Sequence, residues 1–185
     1  HLYGDNTDGK GLMESLRENG VDPKGKKAVV LGAGGAARAI CVELCLSGTE
    51  DITVVNRPQD RALGDSLTEL LSRVCRNPRY VSWEGTYQIP GDTDILINAT
   101  PIGLYPDVDA IPNVDVGTIL PSMFVQDVIP NPAVTRFLRE AQARGARWNT
   151  GAGMLINQAA LNTEMWTGMK PDKAVMLRAL DEALS

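Results

Sequence analysis

The chain has 185 residues, 43% of them hydrophobic, which is enough to build the core of one domain, or of one domain with an appendage. A net charge of −5 and a pI near 4.9 argue against nucleic acid or an anionic membrane surface as a partner. No apolar stretch approaches the ~20 residues that span a bilayer, and no basic-then-apolar leader opens the chain. The only histidine is His1, so we expect neither a His-based triad nor a metal site. The three cysteines cannot form a complete disulfide set. The expected location is the reducing cytoplasm.

Apolar patterns and turn residues predict strands that alternate with helices along most of the chain. In chain order they predict a helix from Gly11 to the stop at Asn19-Gly20, a strand at 27–31, a helix at 36–46, strands at 52–55 and 79–82 around a helix at 59–73, strands at 94–100 and 123–129, a helix at 133–144, a short strand at 147–150, and helices at 154–166 and 173–184. This alternation predicts an α/β fold: a Rossmann-like, doubly wound parallel sheet with C-terminal helices. Cys41 and Cys45 are expected in its core.

A glycine-rich turn joins the first strand to the next helix. Residues 28–40 read AVVLGAGGAARAI, which fits the dinucleotide-binding fingerprint with Ala37 in the third small-residue position. Gly32 allows the sharp turn, and Gly34 lets the backbone approach a pyrophosphate. The free amides at the helix start then face the anionic ligand. The residues assigned to the cofactor in this turn are Gly32, Ala33, Gly34, Gly35 and Ala36.

The end of the second strand indicates which dinucleotide is bound. This strand ends at Asn56-Arg57 without the carboxylate that selects NAD. Arg57 suits a 2′-phosphate, and Arg61 would add a second cation if a helix begins there. The alternatives are that both arginines are solvated, or that Asp60 accepts a hydrogen bond from a ribose hydroxyl. The cofactor favoured by this pattern is NADP, with NAD the less favoured one.

Five segments, taken in chain order, resemble the shikimate/quinate dehydrogenase family and cover its cofactor domain and C-terminal helices. They are the motif Asn-Thr-Asp-Gly at 6–9, the glycine turn at 32–38, Asn56-Arg57, Asn-Ala-Thr at 98–100, and Gly-Ala-Gly-Met-Leu at 151–155 with Gln158. The first and last are the specific ones, because many dehydrogenases share the glycine turn. The implied enzyme is an NADP-dependent shikimate dehydrogenase of aromatic amino-acid biosynthesis, which transfers hydride between NADPH and 3-dehydroshikimate.

The resemblance also implies roles for single residues. Asp8 would be half of a Lys–Asp pair that binds the substrate and handles its proton, and Gln158 would hydrogen-bond a substrate hydroxyl. Thr100 and Gly151 would line the nicotinamide end of the cofactor site, to which Val128 and the nearby Met154 are also assigned. The expected partner is thus a small-molecule substrate of the shikimate or quinate type; a homodimer is left open.

The chain departs from the family in two ways. The family's N-terminal substrate domain, with the catalytic lysine, is not in this sequence, and Lys10 is no substitute because it follows the Asn-Thr-Asp-Gly motif. We therefore expect residues 1–20 to be a linker helix, 21–150 the NAD(P)-binding domain and 151–185 helices that pack on the substrate domain. The chain alone would bind cofactor without turnover. In addition, Pro130 stands where many members have a substrate-contacting tyrosine, which leaves the preferred acid open.

Structural interpretations remain open for several of these residues. Asp8 could be an N-cap, Asn98 and Thr100 could satisfy turn amides, and Asp127 could simply end its strand. Gln158 could be solvated, and Met154 and Trp166 are expected in the core rather than in the site. The functional alternatives are an NAD(P)-dependent, quinate-oxidising enzyme of catabolism and a non-catalytic nucleotide-binding module.

Overall fold

The structure is a computed structural model that describes His1 and residues 4–184, so Leu2, Tyr3 and Ser185, at the ends of the predicted terminal segments, lie outside it. Six strands and six α-helices alternate through most of the described chain. In chain order they are α1 (Asp8–Glu18), β1 (Lys27–Leu31), α2 (Gly35–Leu46), β2 (Asp51–Asn56), α3 (Arg61–Leu71), β3 (Asn77–Ser82), β4 (Ile95–Asn98), β5 (Phe124–Asp127), α4 (Arg136–Ala143), β6 (Arg147–Asn149), α5 (Gly151–Thr167) and α6 (Lys173–Ala183). Short 3-10 turns lie at Pro58–Asp60 and Val116–Thr118.

The six strands form one parallel sheet in the order β3-β2-β1-β4-β5-β6. The order reverses between β1 and β4, so the connections leave the sheet in opposite directions there. This is the predicted doubly wound Rossmann-like fold, which is thereby confirmed. In such a sheet, ligands bind at the carboxyl ends of the strands, beside the reversal.

Both faces of the sheet are covered, because successive residues of each buried strand point to opposite sides. Ala28 and Val30 of β1 pack with α1, α2 and α3, whereas Val29 and Leu31 pack with α4. Cys41 lies wholly buried in the first of these clusters, together with Cys45 at its edge, as predicted.

The predicted elements are all present, and their bounds shift where side chains cap or turn the backbone. The predicted strand at 94–100 ends at Asn98, because the Asn98 side chain accepts a hydrogen bond from the Thr100 amide and turns the chain. The helix predicted from residue 133 begins at Arg136, with the Thr135 hydroxyl capping the amide of Leu138. The helix predicted from Met154 begins earlier, at Gly151.

Trp166 was expected in the core, and that prediction is wrong. Its side chain is 79% exposed near the end of α5, which spans Gly151–Thr167. No helix in the described part of the chain is both long and apolar enough to cross a membrane.

Candidate functional site

The glycine turn after β1 has the geometry that a phosphate-binding loop needs. Gly32 adopts φ +103°, and a β-carbon there would lie 2.9 Å from the carbonyl oxygen of Ala99. Only glycine fits this position without strain. Gly34 and Gly35 are different, because a β-carbon on either would meet no protein atom within 4 Å. Their Cα atoms therefore border open space at the start of α2, where the first helical amides lack partners within the helix.

A cavity of about 290 Å³ opens beside this turn at the carboxyl ends of β1, β2 and β4. It brings together six of the residues predicted to bind the cofactor: Gly32, Ala33, Gly34, Asn56, Arg57 and Thr100. The other two turn residues, Gly35 and Ala36, begin α2 next to the cavity without lining it. The sheet register explains why these residues lie together, since Leu31 at the end of β1 lies opposite both Val55 of β2 and Asn98 of β4.

Three apolar side chains that the sequence did not indicate also line this cavity: Leu63, Trp83 and Ile102. Trp83 reaches the cavity because β3 pairs in parallel with β2. The Trp83 amide donates to the Asn56 carbonyl oxygen at 2.8 Å. No local pattern marks Trp83 as a site residue, because its place depends on a strand register between residues 26 positions apart in sequence. A flat apolar wall beside a polar rim suits a purine base with its ribose.

The two predicted phosphate-binding arginines differ in position. Arg57 lines the cavity, where its Nε and Nη2 atoms lie 3.0 and 2.5 Å from Oδ2 of Asp60. Arg61 does not line it: its Nε donates to Asp65 at 3.2 Å, and its guanidinium lies 6.0 Å from the ring centre of Tyr80. The helix expected at Arg61 does form, but its first turn directs that side chain toward β3.

Asp127 is buried and links the ends of neighbouring strands by hydrogen bonds. The sequence had left open that it simply ends its strand. Its carboxylate accepts hydrogen bonds from the Thr135 hydroxyl at 2.7 Å, the Ile129 amide at 3.1 Å and the Asn98 side chain at 3.2 Å. Asn98 also accepts from the Thr100 hydroxyl at 2.7 Å, so the network orients the loop that bears Thr100. Burial raises the pKa of Asp127 to about 6, against the lowering effect of its hydrogen bonds.

The predicted nicotinamide-end residues lie next to this network. Val128 follows β5, and its amide donates to the carbonyl oxygen of Asn98 at 3.1 Å. Gly151 starts α5 so close to the backbone of Val128 and Ile129 that a β-carbon there would collide with it. Met154, one turn further along α5, is 8% exposed and packs into the core, as the structural interpretation expected.

The two predicted substrate-binding residues are brought to one place by the contact between α1 and α5. The Thr7 hydroxyl lies 3.1 Å from Oδ1 of Asn162 and 3.4 Å from Oε1 of Gln158. Asn162 donates to the same oxygen of Gln158 at 3.1 Å, which leaves the Gln158 amide nitrogen as the donor available to a ligand. Asp8 follows Thr7 directly, and Gln158 lies about 10 Å along α5 from Gly151.

Asp8 is not the N-cap of α1, so that alternative is wrong. Thr7 occupies the cap position, and Asp8 is the first helical residue, with its amide bonded to the Asn6 side chain at 3.0 Å. Within the described residues no hydrogen bond or ion pair involves the Asp8 carboxylate, while Lys10 pairs with Asp5 at 2.6 Å. The carboxylate is thus free to bind a cation or a hydroxyl.

Together these residues form a bipartite arrangement along the carboxyl edge of the sheet. One part is the cavity beside the glycine turn, whose shape and Arg57 fit a phosphorylated nucleoside. The other part is the polar pair Asp8 and Gln158, which can bind the hydroxyls of a small polar molecule. Thr100 and Gly151 lie on the connecting segments between them.

Two family models match this chain. The model described as shikimate/quinate 5-dehydrogenase matches residues 14–102, and the model described as the shikimate 5′-dehydrogenase C-terminal domain matches residues 151–180. The shikimate dehydrogenase (NADP(+)) of Methanopyrus kandleri is 41% identical over 99% of this chain. The chain spans 64% of the length of that relative.

Solved structures show the same similarity. The ligand-free 5-ketofructose reductase of a Gluconobacter strain is 45% identical, with a TM-score of 0.90, over 97% of this chain and 64% of that one. Shikimate 5-dehydrogenase from Thermus thermophilus, in complex with NADP(H) and shikimate, is 37% identical with a TM-score of 0.82, over 100% of this chain and 65% of that one.

Proposed function

Because this chain belongs to the shikimate/quinate dehydrogenase family, we propose that it is the cofactor-binding part of an NADP-dependent shikimate dehydrogenase. That enzyme would interconvert 3-dehydroshikimate and shikimate in the cytoplasm. The observation that carries the proposal is the pairing of an open glycine turn and Arg57 in one cavity with Asp8 and Gln158 further along the same edge. The division into a linker helix at 1–20, a cofactor domain at 21–150 and C-terminal helices at 151–185 is part of this proposal.

The residues of the chain would divide the work of binding. The glycine turn and the start of α2 would hold the pyrophosphate, Arg57 the 2′-phosphate, and Trp83 the wall of the adenosine site. The bound nicotinamide supplies the hydride chemistry. Thr100, Val128 and Gly151 would position its ring and exclude water from it.

Asp8 and Gln158 would bind the substrate. Gln158, with its oxygen engaged by Asn162, would donate from its nitrogen to a substrate hydroxyl. Asp8 would hold a cationic lysine, which supplies the proton that the carbonyl oxygen needs when hydride arrives at carbon. Within the described residues Asp8 has no lysine partner, so we propose that the 185-residue chain alone binds cofactor but does not turn over.

A second candidate substrate is a polyhydroxylated ketone of the sugar class. It is favoured by the 45% identity to 5-ketofructose reductase, together with Pro130 at the place where many family members have a substrate-contacting tyrosine. In both candidate reactions, hydride is transferred to a ketone that is surrounded by hydroxyl groups, in a ring or in a chain. They differ in the carboxylate, which 3-dehydroshikimate carries and a ketohexose does not.

The test is a turnover assay on the full-length gene product with NADP and NAD. Oxidation of shikimate and of quinate is measured with NADP or NAD, reduction of 5-ketofructose is measured with NADPH or NADH, and all substrates are used at equal concentrations. We expect kcat/KM to be highest for shikimate with NADP. A higher value for 5-ketofructose selects the second candidate, and a preference for quinate with NAD indicates the catabolic activity. Cofactor binding without turnover of any of them would indicate a non-catalytic nucleotide-binding module.

A further inference from the structure

The cation available for a 2′-phosphate is already neutralised by a carboxylate that faces the same cavity. Arg57 and Asp60 both line the 290 Å³ cavity, and Asp60 accepts from two nitrogens of the Arg57 guanidinium. Because Arg57 already donates two hydrogen bonds to Asp60, only its remaining N–H groups can bind a ligand. A dianionic phosphate placed on Arg57 would also lie beside the Asp60 carboxylate, and like charges at that range repel.

Asp60 is held in this place by the backbone around it. It ends the 3-10 turn that Pro58 begins, and its amide donates to the Arg57 carbonyl oxygen at 3.0 Å. Its own carbonyl oxygen accepts from the buried Asn56 side chain at 3.0 Å. The Asp60 side chain is 32% exposed, against 68% for Arg57, so the carboxylate is the more enclosed member of the pair.

The neighbouring cation, Arg61, does not replace the positive charge that Asp60 neutralises on Arg57. Arg61 donates to Asp65 and lies over Tyr80, and it does not line the cavity. The described side chains at the ribose end of the cavity therefore offer one cation and one anion. Asp60 can also accept a hydrogen bond from a free 2′-hydroxyl, which NAD has and NADP lacks.

We infer that Asp60 is a specificity-determining residue that weakens the site for a 2′-phosphate and strengthens it for a 2′-hydroxyl. This inference rests on the proposed function, because it assumes that the cavity holds a nicotinamide dinucleotide. Asp60 thereby reduces the preference for NADP over NAD that Arg57 creates, and the site accepts NAD as well as NADP. The residue acts on the cofactor choice, and it takes no part in hydride transfer.

The test is to measure the dissociation constants of NADP and NAD for the 185-residue chain by calorimetric titration. Asp60→Asn removes the charge but keeps the size of the side chain, and the turn around residue 60 is held by backbone atoms that the substitution leaves in place. We expect NADP to bind more tightly and NAD more weakly, so that the ratio of their dissociation constants shifts by about tenfold toward NADP. Asp65→Asn is the matched control, because it makes the same charge change beside the arginine that does not line the cavity.

A ratio that moves by less than twofold in Asp60→Asn, or by the same factor in Asp65→Asn, would overturn the inference. A wild-type chain that binds neither nucleotide would overturn both this inference and the proposed cofactor. The assay reads binding alone, so a shift of the ratio supports the inference even where the full-length gene product fails to turn over shikimate. That last result would count against the proposed function only.

Discussion

Gly11 of α1 and Gln158 of α5 are in backbone contact: a β-carbon on residue 11 would lie 2.7 Å from the Gln158 amide nitrogen and 2.8 Å from the Met154 carbonyl oxygen. The absence of a side chain at Gly11 lets the two helices approach this closely. Asp8 lies one turn before Gly11 on the same helix face, so the contact also sets the distance between the two proposed substrate-binding residues.

Gly11→Ala should therefore destabilise the protein. The two nearest atoms that the new methyl group meets belong to the backbone of α5 and cannot rotate away, so the helices must separate, at a cost of about 1–3 kcal/mol in the free energy of unfolding. Urea unfolding of the 185-residue chain measures it. Gly35→Ala is the control, because its methyl group would meet no protein atom within 4 Å and alanine favours the helix. Equal stability of the two variants would contradict the prediction.

Gly34→Ala should lose cofactor binding while leaving the fold intact. Residue 34 has φ −74° and ψ −168°, which alanine adopts freely, and its methyl group would project into open space. We expect a stability change below about 1 kcal/mol and a fall in NADP affinity of roughly tenfold or more, since the methyl group would occupy the place of the pyrophosphate. Fluorescence titration with NADPH measures the affinity.

Gly32→Ala provides the contrast within the same turn. Its positive φ and the nearby Ala99 carbonyl oxygen predict a loss of stability as well as of binding. If Gly34→Ala bound NADP as tightly as the wild type, the turn would not be the pyrophosphate site.

The buried carboxylate of Asp127 should give the stability a pH dependence that Asp127→Asn lacks. Burial raises the pKa of Asp127 from 3.8 to about 6, so the native state binds more protons than the unfolded state between these values. The contribution is fully present below about pH 4 and is lost as the pH rises through 6. Relative to Asp127→Asn, the wild type should lose about 2 kcal/mol between pH 4 and pH 7. Urea midpoints across this range measure it, and parallel profiles of the two proteins would refute the assignment.

Gln158→Glu should separate substrate binding from cofactor binding. The new side chain keeps an oxygen for Asn162 but replaces the nitrogen donor by a second, negatively charged oxygen. In the full-length gene product we expect KM for the carbonyl substrate to rise by about 10- to 100-fold, with the NADP dissociation constant unchanged. Steady-state kinetics with a parallel NADP titration measures both. An unchanged KM would remove Gln158 from the substrate site.

Local sequence patterns determined the order of the elements and the core of the cofactor site. The apolar runs at 27–31 and 94–100 predicted the strands β1 and β4, and the spacing of Gly32, Gly34 and Ala37 predicted the turn that the structure contains. These features depend on neighbours a few residues apart, so a short stretch of sequence carries them. Element bounds shifted by a few residues, because caps such as Thr135 decide them through single hydrogen bonds.

The tertiary structure decided which side chains meet across long separations in sequence. It turned Arg61 toward Tyr80 and away from the cavity, brought Trp83 to the end of β2 by strand register, and left Trp166 exposed. It also buried Asp127 among donors from three segments. The sequence by itself determined where a dinucleotide is expected to bind. The packed fold decided the charge and the walls of that site, because these depend on side-chain directions and non-local contacts that no local pattern encodes.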